Sequence, residues 1–196
     1  MQILRKKYNT FSDEELMKLH SKGDKLAFDE IYMRYAKLMF SFFKRLLWQD
    51  IEKSEDFVHD LFAKIIQKPE SFDQQRSFKT WFYSVANNMV KNEYKKAEVR
   101  KSTSYRIEPT YVAKDETKNV LNEVQDFIFG EAFEIQLKGM DQKHSEVFKL
   151  RHFEGLSIKE IAEVLSANEG TIKSRLFYAT KHLAENLKEF NPVLNR

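Results

Sequence analysis

Apolar residues recur at helical spacing along most of this chain, and no segment shows the alternation of a half-buried strand. Phe28, Ile31, Tyr32, Tyr35, Leu38, Met39, Phe42 and Leu46 keep the period from about Lys25 to Trp48. Phe57, Val58, Leu61, Phe62, Ile65 and Ile66 keep it from about Ser54 to Gln67, where Pro69 stops the run. Phe78, Trp81, Phe82, Val85, Met89 and Val90 continue it to about Lys96. Ser12 and Glu15 have capping-box spacing, so a short leading helix is expected to end near Gly23. Only five Gly and three Pro punctuate the chain, too few for a many-turned β fold. The expected fold class is all-α.

The pattern lapses from about Ala97 to Val124. The segment RKSTSYRIEPTYVAKDETKNV is polar, contains Pro109 and keeps no period, as a flexible linker would. Fully extended, such a stretch spans about 90 Å, at about 3.3 Å per residue. Two helical domains are therefore expected, at 11–96 and 125–190, with 97–124 between them.

The second domain contains LSIKEIAEVLSANEGTIKSRLFYATKHL, residues 156–183. Ser157 and Glu160 form a second capping box. Ile158, Ile161, Ala162 and Leu165 lie on one helical face. Ser166-Ala167-Asn168 breaks the pattern. Asn168 is suited to cap the next helix, and Glu169 in its first turn suits the positive end of the helix dipole. Ile172, Leu176, Ala179 and Leu183 form that helix's inward face, leaving Thr171, Lys173, Ser174 and Arg175 outward. This is the layout of a helix-turn-helix whose second helix enters a DNA major groove. An ordinary helical hairpin with a solvated face has the same spacing.

Composition narrows the function classes. The net charge of +3 permits nucleic-acid binding without requiring it. Cysteine is absent, which excludes disulfides and thiolate metal sites and suits a reducing compartment. No apolar run approaches a membrane span, and MQILRKKYNT has no signal-peptide core, so a cytoplasmic protein is expected. His20, His59, His144, His152 and His182 lack metal-ligand spacing, and no glycine-rich phosphate loop is present. Neither an enzyme nor a bound metal or cofactor is expected.

Three motifs in order resemble the extracytoplasmic-function sigma factors of bacteria. HSEVFKLRHFEGLSIKEIAEVLSANEGTIKSRLFYATKHL is similar to the family's region four. SEDFVHDLFAKI is similar to the region-two helix that docks on RNA polymerase. SFKTWFYSVANNMVKNEYKK is similar to the helix that engages the minus-ten element. The resemblance runs from about Phe11 to Leu187. It implies a subunit that binds core RNA polymerase, directs it to promoter DNA and helps open the duplex.

Residue roles follow from the resemblance. Asn168, Glu169, Thr171, Lys173, Ser174 and Arg175 would meet the minus-thirty-five element. Arg175 could pair with guanine in bidentate fashion. Glu169 could accept from cytosine or serve only as a first-turn acid. The loop Phe72, Asp73, Gln74, Gln75, Arg76 and Ser77 matches the family's specificity loop, which holds a flipped base of the unpaired strand. Asn88 would sit beside it, with Lys79, Lys91, Lys95 and Lys96 on the backbone. Trp81 and Phe82 could stack on bases, but their place in the apolar stripe favours the core. Asp56, His59, Asp60 and Lys64 would contact polymerase, and an anti-sigma factor is an implied partner. The sequence departs from the family pattern at Ser166, where Gly is usual, at Asn87 for Arg, and at Asn92 for Asp. If Ser166 needs φ > 0, the departure costs about 1 kcal/mol. A helix-turn-helix regulator that binds DNA without polymerase is the alternative, against which the region-two motifs argue.

Overall fold

The computed structural model describes residues 8–47, 49–103 and 120–190. Among these, eight α-helices and two short 3-10 turns account for the regular structure. The expected linker is described only at its helical ends, and 104–119 lie outside the described residues, as do Trp48 and most of the N-terminal segment. The chain divides into two compact units, Met1–Pro109 and Thr110–Arg196.

The first unit contains α1 (Asp13–His20), α2 (Lys25–Leu46), α3 (Ile51–Gln67) and α4 (Phe78–Thr103). Each start has a side-chain reason. Ser12 and Glu15 close the expected capping box, with Glu15 N–H donating to Ser12 Oγ at 3.2 Å and Ser12 N–H to Glu15 Oε2 at 2.7 Å. Asp24 caps α2 and Asp50 caps α3, each accepting first-turn N–H groups. That cap starts α3 at Ile51, ahead of the expected Ser54.

The core is aromatic. Phe62 of α3 meets Tyr32 at 4.7 Å, Phe82 at 5.5 Å and Phe28 at 6.1 Å between ring centroids. Tyr35 packs edge-on against Phe78 and Phe82. These contacts, T-shaped but for the tilted Tyr32–Phe62 pair, suit the ring quadrupoles and lock the crossings of α2, α3 and α4. Periodicity placed most of this core, with exceptions. Tyr32, Leu38 and Ile66 sit on the expected stripes yet are exposed, while Phe43 is buried. Glu93 is also buried, paired with Lys53 at 2.7 Å. α4 runs past the expected end near Lys96 to Thr103.

The second unit contains α5 (Val120–Gly139), α6 (Gln142–His152), α7 (Ile158–Leu165) and α8 (Glu169–Asn186). Leu137, Met140, Phe148, Ala179 and Leu183 form one cluster, flanked by Phe133, Leu176 and Leu187. α8 thus packs on α5 and α6 with one face, leaving another free. Gly155, at φ +65°, turns the chain between α6 and α7. Arg151 donates from Nη1 to the Leu156 carbonyl at 2.9 Å across that turn.

Candidate nucleic-acid and polymerase interfaces

The helix-turn-helix is set by its caps. The Ser157–Glu160 capping box is complete, with distances of 3.2 and 2.7 Å. α7 ends in a Schellman arrangement. Ala167 N–H donates to the Ala162 carbonyl at 2.9 Å, and Ser166 N–H to the Glu163 carbonyl at 3.2 Å. Ser166 takes the left-handed conformation this requires, at φ 51° and ψ 47°. The turn geometry is therefore the glycine one, built with serine. Asn168 then caps α8, its Oδ1 accepting from Thr171 N–H at 2.7 Å and from Thr171 Oγ1 at 2.9 Å. Gly170 suits this crowded start, since a Cβ there would lie 3.3 Å from Asn168 Oδ1.

Ile172, Ala179 and Leu183 are buried, so the inner face of α8 is the expected one. Asn168, Glu169, Lys173 and Ser174 are exposed, and Thr171 and Arg175 are half-buried. Ser174 Oγ donates to the Thr171 carbonyl at 3.0 Å. With both hydroxyl protons committed locally, Thr171 and Ser174 present acceptor lone pairs outward. Such acceptors suit the amino groups of adenine or cytosine. Glu169 lies 3.8 Å from Lys173, an exposed i,i+4 pair worth little to stability. Its position and partner fit the first-turn acid. Tyr178 extends the Thr171, Ser174, Arg175 stripe by one turn. It is exposed and packs against His144 at 5.7 Å, a feature the sequence did not mark as functional.

In the first unit, the loop between α3 and α4 is held at both ends. Phe72 is buried, its ring 5.2 Å from Trp81 and 5.5 Å from Phe78. It anchors the loop and offers no open face to a base. Asp73, Gln74, Gln75, Arg76 and Ser77 are exposed. Asp73 Oδ1 accepts from Gln75 N–H at 3.0 Å, and its carbonyl accepts from Arg76 N–H at 3.0 Å. This local turn presents Gln74, Gln75 and Arg76 side by side. Ser77 Oγ accepts from Thr80 N–H at 3.3 Å and starts α4.

Along α4, Ser77, Trp81, Ser84, Asn88, Lys91 and Lys95 fall on one stripe by helical spacing. Asn88 and Lys95 are exposed, while Trp81, Lys91 and Lys79 are half-buried. Phe82 is buried and serves the core, as the stripe suggested, and Tyr83, off that stripe, is buried as well. Asn87 is also buried, and its Nδ2 has no hydrogen-bond partner. On α3, Asp56, His59, Asp60 and Lys64 are all exposed, forming one polar face opposite Val58, Leu61, Phe62 and Ile65.

Glu14, which the sequence did not mark, reaches the end of the loop between α3 and α4. Its Oε1 accepts from the Phe78 N–H at 2.8 Å, at the first turn of α4. No local pattern marks a contact between residues sixty-four positions apart.

Two helical units, one bearing a helix-turn-helix and the other an exposed loop leading into a basic-edged helix, define a promoter-reading class of protein. Comparison with known families agrees: the sigma-70 region 2 family matches residues 31–100, and the sigma-70 region 4 family matches residues 133–183. The RNA polymerase sigma-H factor of Pseudomonas aeruginosa is 25% identical over 183 residues, covering 90% of this chain and 94% of the relative. The ECF RNA polymerase sigma-E factor of Escherichia coli K12 is 26% identical over 193 residues, covering 94% and 97%. Among solved structures, the sigma factor RpoE in complex with the anti-sigma factor NepR from Bartonella quintana has a TM-score of 0.65 at 24% identity, covering 82% of this chain and 96% of that one. CnrH in complex with the cytosolic domain of CnrY also has a TM-score of 0.65, at 19% identity, covering 90% and 97%. The chain belongs to the extracytoplasmic-function group of the sigma-70 family, the subunits that direct RNA polymerase to promoters. Sigma factors are regulatory subunits rather than catalysts. Among the described residues, no helix is long and apolar enough to cross a membrane, and no three His, Asp or Glu side chains gather as a metal site would need.

Proposed function

We propose that the two units grip one promoter at two points while α3 fastens the chain to core RNA polymerase. The observation that carries this is the pairing of two open polar surfaces, each on a fixed helix start. One is the stripe of α8 from Asn168 to Arg175. The other is the loop 73–77 at the head of α4.

On this reading, α8 lies in the major groove of the minus-thirty-five element. Arg175 reads a guanine edge, Thr171 and Ser174 accept from base amino groups, and Lys173 and Asn168 meet phosphate. Glu169 balances the helix dipole and Lys173. Gln74, Gln75, Arg76 and Ser77, with Asp73 shaping the turn, hold an unpaired base of the minus-ten strand. Asn88 lies beside it, and Lys79, Lys91, Lys95 and Lys96 follow the backbone. Phe72 acts from beneath as an anchor.

Asp56, His59, Asp60 and Lys64 form the polymerase-binding face. The domains run over 11–96 and 125–190, with 97–124 as the tether. The chain works beside polymerase in the cytoplasm, without catalytic chemistry of its own. An anti-sigma factor is a further partner, a reading supported by the similar RpoE structure from Bartonella quintana, a complex with the anti-sigma factor NepR.

Reconstitution tests the proposal. Purified protein and core polymerase, given genomic templates, should start transcription at a defined set of mapped promoters. No stable complex with core polymerase, or sequence-specific duplex binding that polymerase leaves unchanged, would overturn it.

A further inference from the structure

We infer that Glu14 is a positioning residue for the minus-ten loop, fixing from α1 the point where the loop enters α4. The inference rests on the assignment of the loop to the minus-ten strand. Base reading by an exposed loop needs the loop's two ends held still, because small displacements misplace its polar groups. The entry is held by the buried Phe72 ring against Phe78 and Trp81. The exit's own side-chain bonds are long, Ser77 Oγ accepting from Thr80 N–H and from Thr80 Oγ1, both at 3.3 Å. The shorter bond comes from outside, where Glu14 Oε1 takes the Phe78 N–H at 2.8 Å. A carboxylate there is also favoured by the positive end of the helix dipole.

Glu14 is itself held in place. Its neighbour Asp13 accepts from Arg34 Nη1 at 2.7 Å and from the Tyr35 hydroxyl at 2.5 Å. Arg34 also donates to the carbonyls of Tyr8, Asn9 and Phe11, at 3.2, 3.1 and 3.0 Å. Tyr35 then packs edge-on against Phe78, the residue whose N–H Glu14 takes, at 5.4 Å. The contacts form a closed circuit through α1, α2 and the first turn of α4. Glu14 cannot leave the loop exit without breaking that circuit.

The test uses the full chain bound to core polymerase. Its probe is a labelled single-stranded oligonucleotide carrying the non-template minus-ten bases of a mapped promoter, compared with the same strand altered at one minus-ten base. Glu14→Ala should lower the preference for the unaltered strand about tenfold, as loss of one charge-assisted hydrogen bond implies. Glu14→Gln retains an acceptor and should stay within about threefold of the parent. Polymerase affinity and minus-thirty-five duplex binding should not change.

An unaltered preference in Glu14→Ala overturns the inference, as does a parallel loss of polymerase binding and melting temperature with preference intact. If Glu14→Ala fails to fold, Glu14→Asp decides. It keeps the charge but is one methylene short, so it should lose several-fold in preference, and an unchanged preference again overturns the inference. Gln75→Ala and Arg76→Ala separate the two levels. If they lower the preference and Glu14→Ala does not, the loop assignment stands and the Glu14 inference falls. If none of the three changes it, the loop assignment falls and takes the inference with it.

Discussion

Ser166 combines a helix-ending role with a side chain poorly suited to it. Its φ of 51° completes the Schellman turn, but a Cβ in that region carries a steric cost that glycine avoids. The residue is exposed, so glycine would lose no packing. Ser166→Gly should therefore stabilise the second unit by about 1 kcal/mol, offset in part by the greater freedom of an unfolded glycine. In calorimetry its melting temperature should rise by a few degrees, on the order of 4 °C, and a drop would show that the serine hydroxyl contributes more than the turn costs. Arg175 is a different case, since it belongs to the outward stripe and not to the turn. Arg175→Ala should cost about 1–3 kcal/mol of discrimination at one minus-thirty-five base pair, measured against single-base promoter variants, with polymerase affinity unchanged. Glu14 adds a pH dependence. Burial alone would raise its pKa, but hydrogen bonds from Phe78 and its own backbone N–H groups and from the Ser12 hydroxyl outweigh burial, holding the carboxyl below its ordinary 4.5. The folded chain thus binds fewer protons than the unfolded chain in that range. The stabilisation is full above about pH 4.5 and is lost as pH falls through the lower folded value. Melting curves taken across that window should fall less steeply in Glu14→Gln than in the parent chain.

At the scale of the helix, α3 presents two faces with separable effects. Lys53 reaches across to the buried Glu93 of α4 at 2.7 Å, on the inner side. Asp56, His59, Asp60 and Lys64 face outward. Lys53→Met should destabilise the first unit by about 2 kcal/mol, because a nearly buried carboxylate loses a short charge-assisted bond. Asp56→Ala and Asp60→Ala should leave stability within about 0.5 kcal/mol and weaken polymerase binding. Chemical denaturation and a polymerase-binding titration, run on the same variants, would show the two effects on separate residues if the assignment is right. The same scale shows what the sequence made legible. Helix starts were readable where a capping side chain stands beside the backbone it satisfies, as at Ser12, Ser157 and Asn168. The inner face of α8 was readable because three buried residues repeat at helical spacing. Tyr32, Leu38 and Ile66 were not, because a stripe is wider than the surface a neighbouring helix can cover. Phe72 could not be told from a base-contacting ring, since its burial depends on Phe78 and Trp81 folding back over it. Glu14 and Glu93 are acids whose partners lie sixty-four and forty positions away, where no local pattern reaches.

At the scale of the whole molecule, the proposed two-point grip divides binding between two compact units. The first fixes its loop through contacts made within its own four helices, and the second caps and packs its helix-turn-helix through contacts of its own. Each surface is small: a short stripe on α8, and a five-residue loop with one helix edge on the other unit. Sites of this size gain affinity chiefly by being tethered, because binding at one point raises the effective concentration at the other. For two sites joined by a short flexible linker in general, the second contact is made at about millimolar local concentration, and the combined affinity exceeds either part by about 10² to 10⁴. Dividing the chain at the boundary between units, into 1–109 and 110–196, should leave two helical fragments by circular dichroism. Added together to core polymerase, they should support promoter-specific transcription only at concentrations about 10² or more above those the intact chain needs. Restoring the connection with a glycine-serine tether of the same length should recover most of that loss if the connection serves reach and not recognition. Equal activity of the divided and intact chains would mean that polymerase alone holds the two units in place, and that the covalent tether adds nothing to promoter binding.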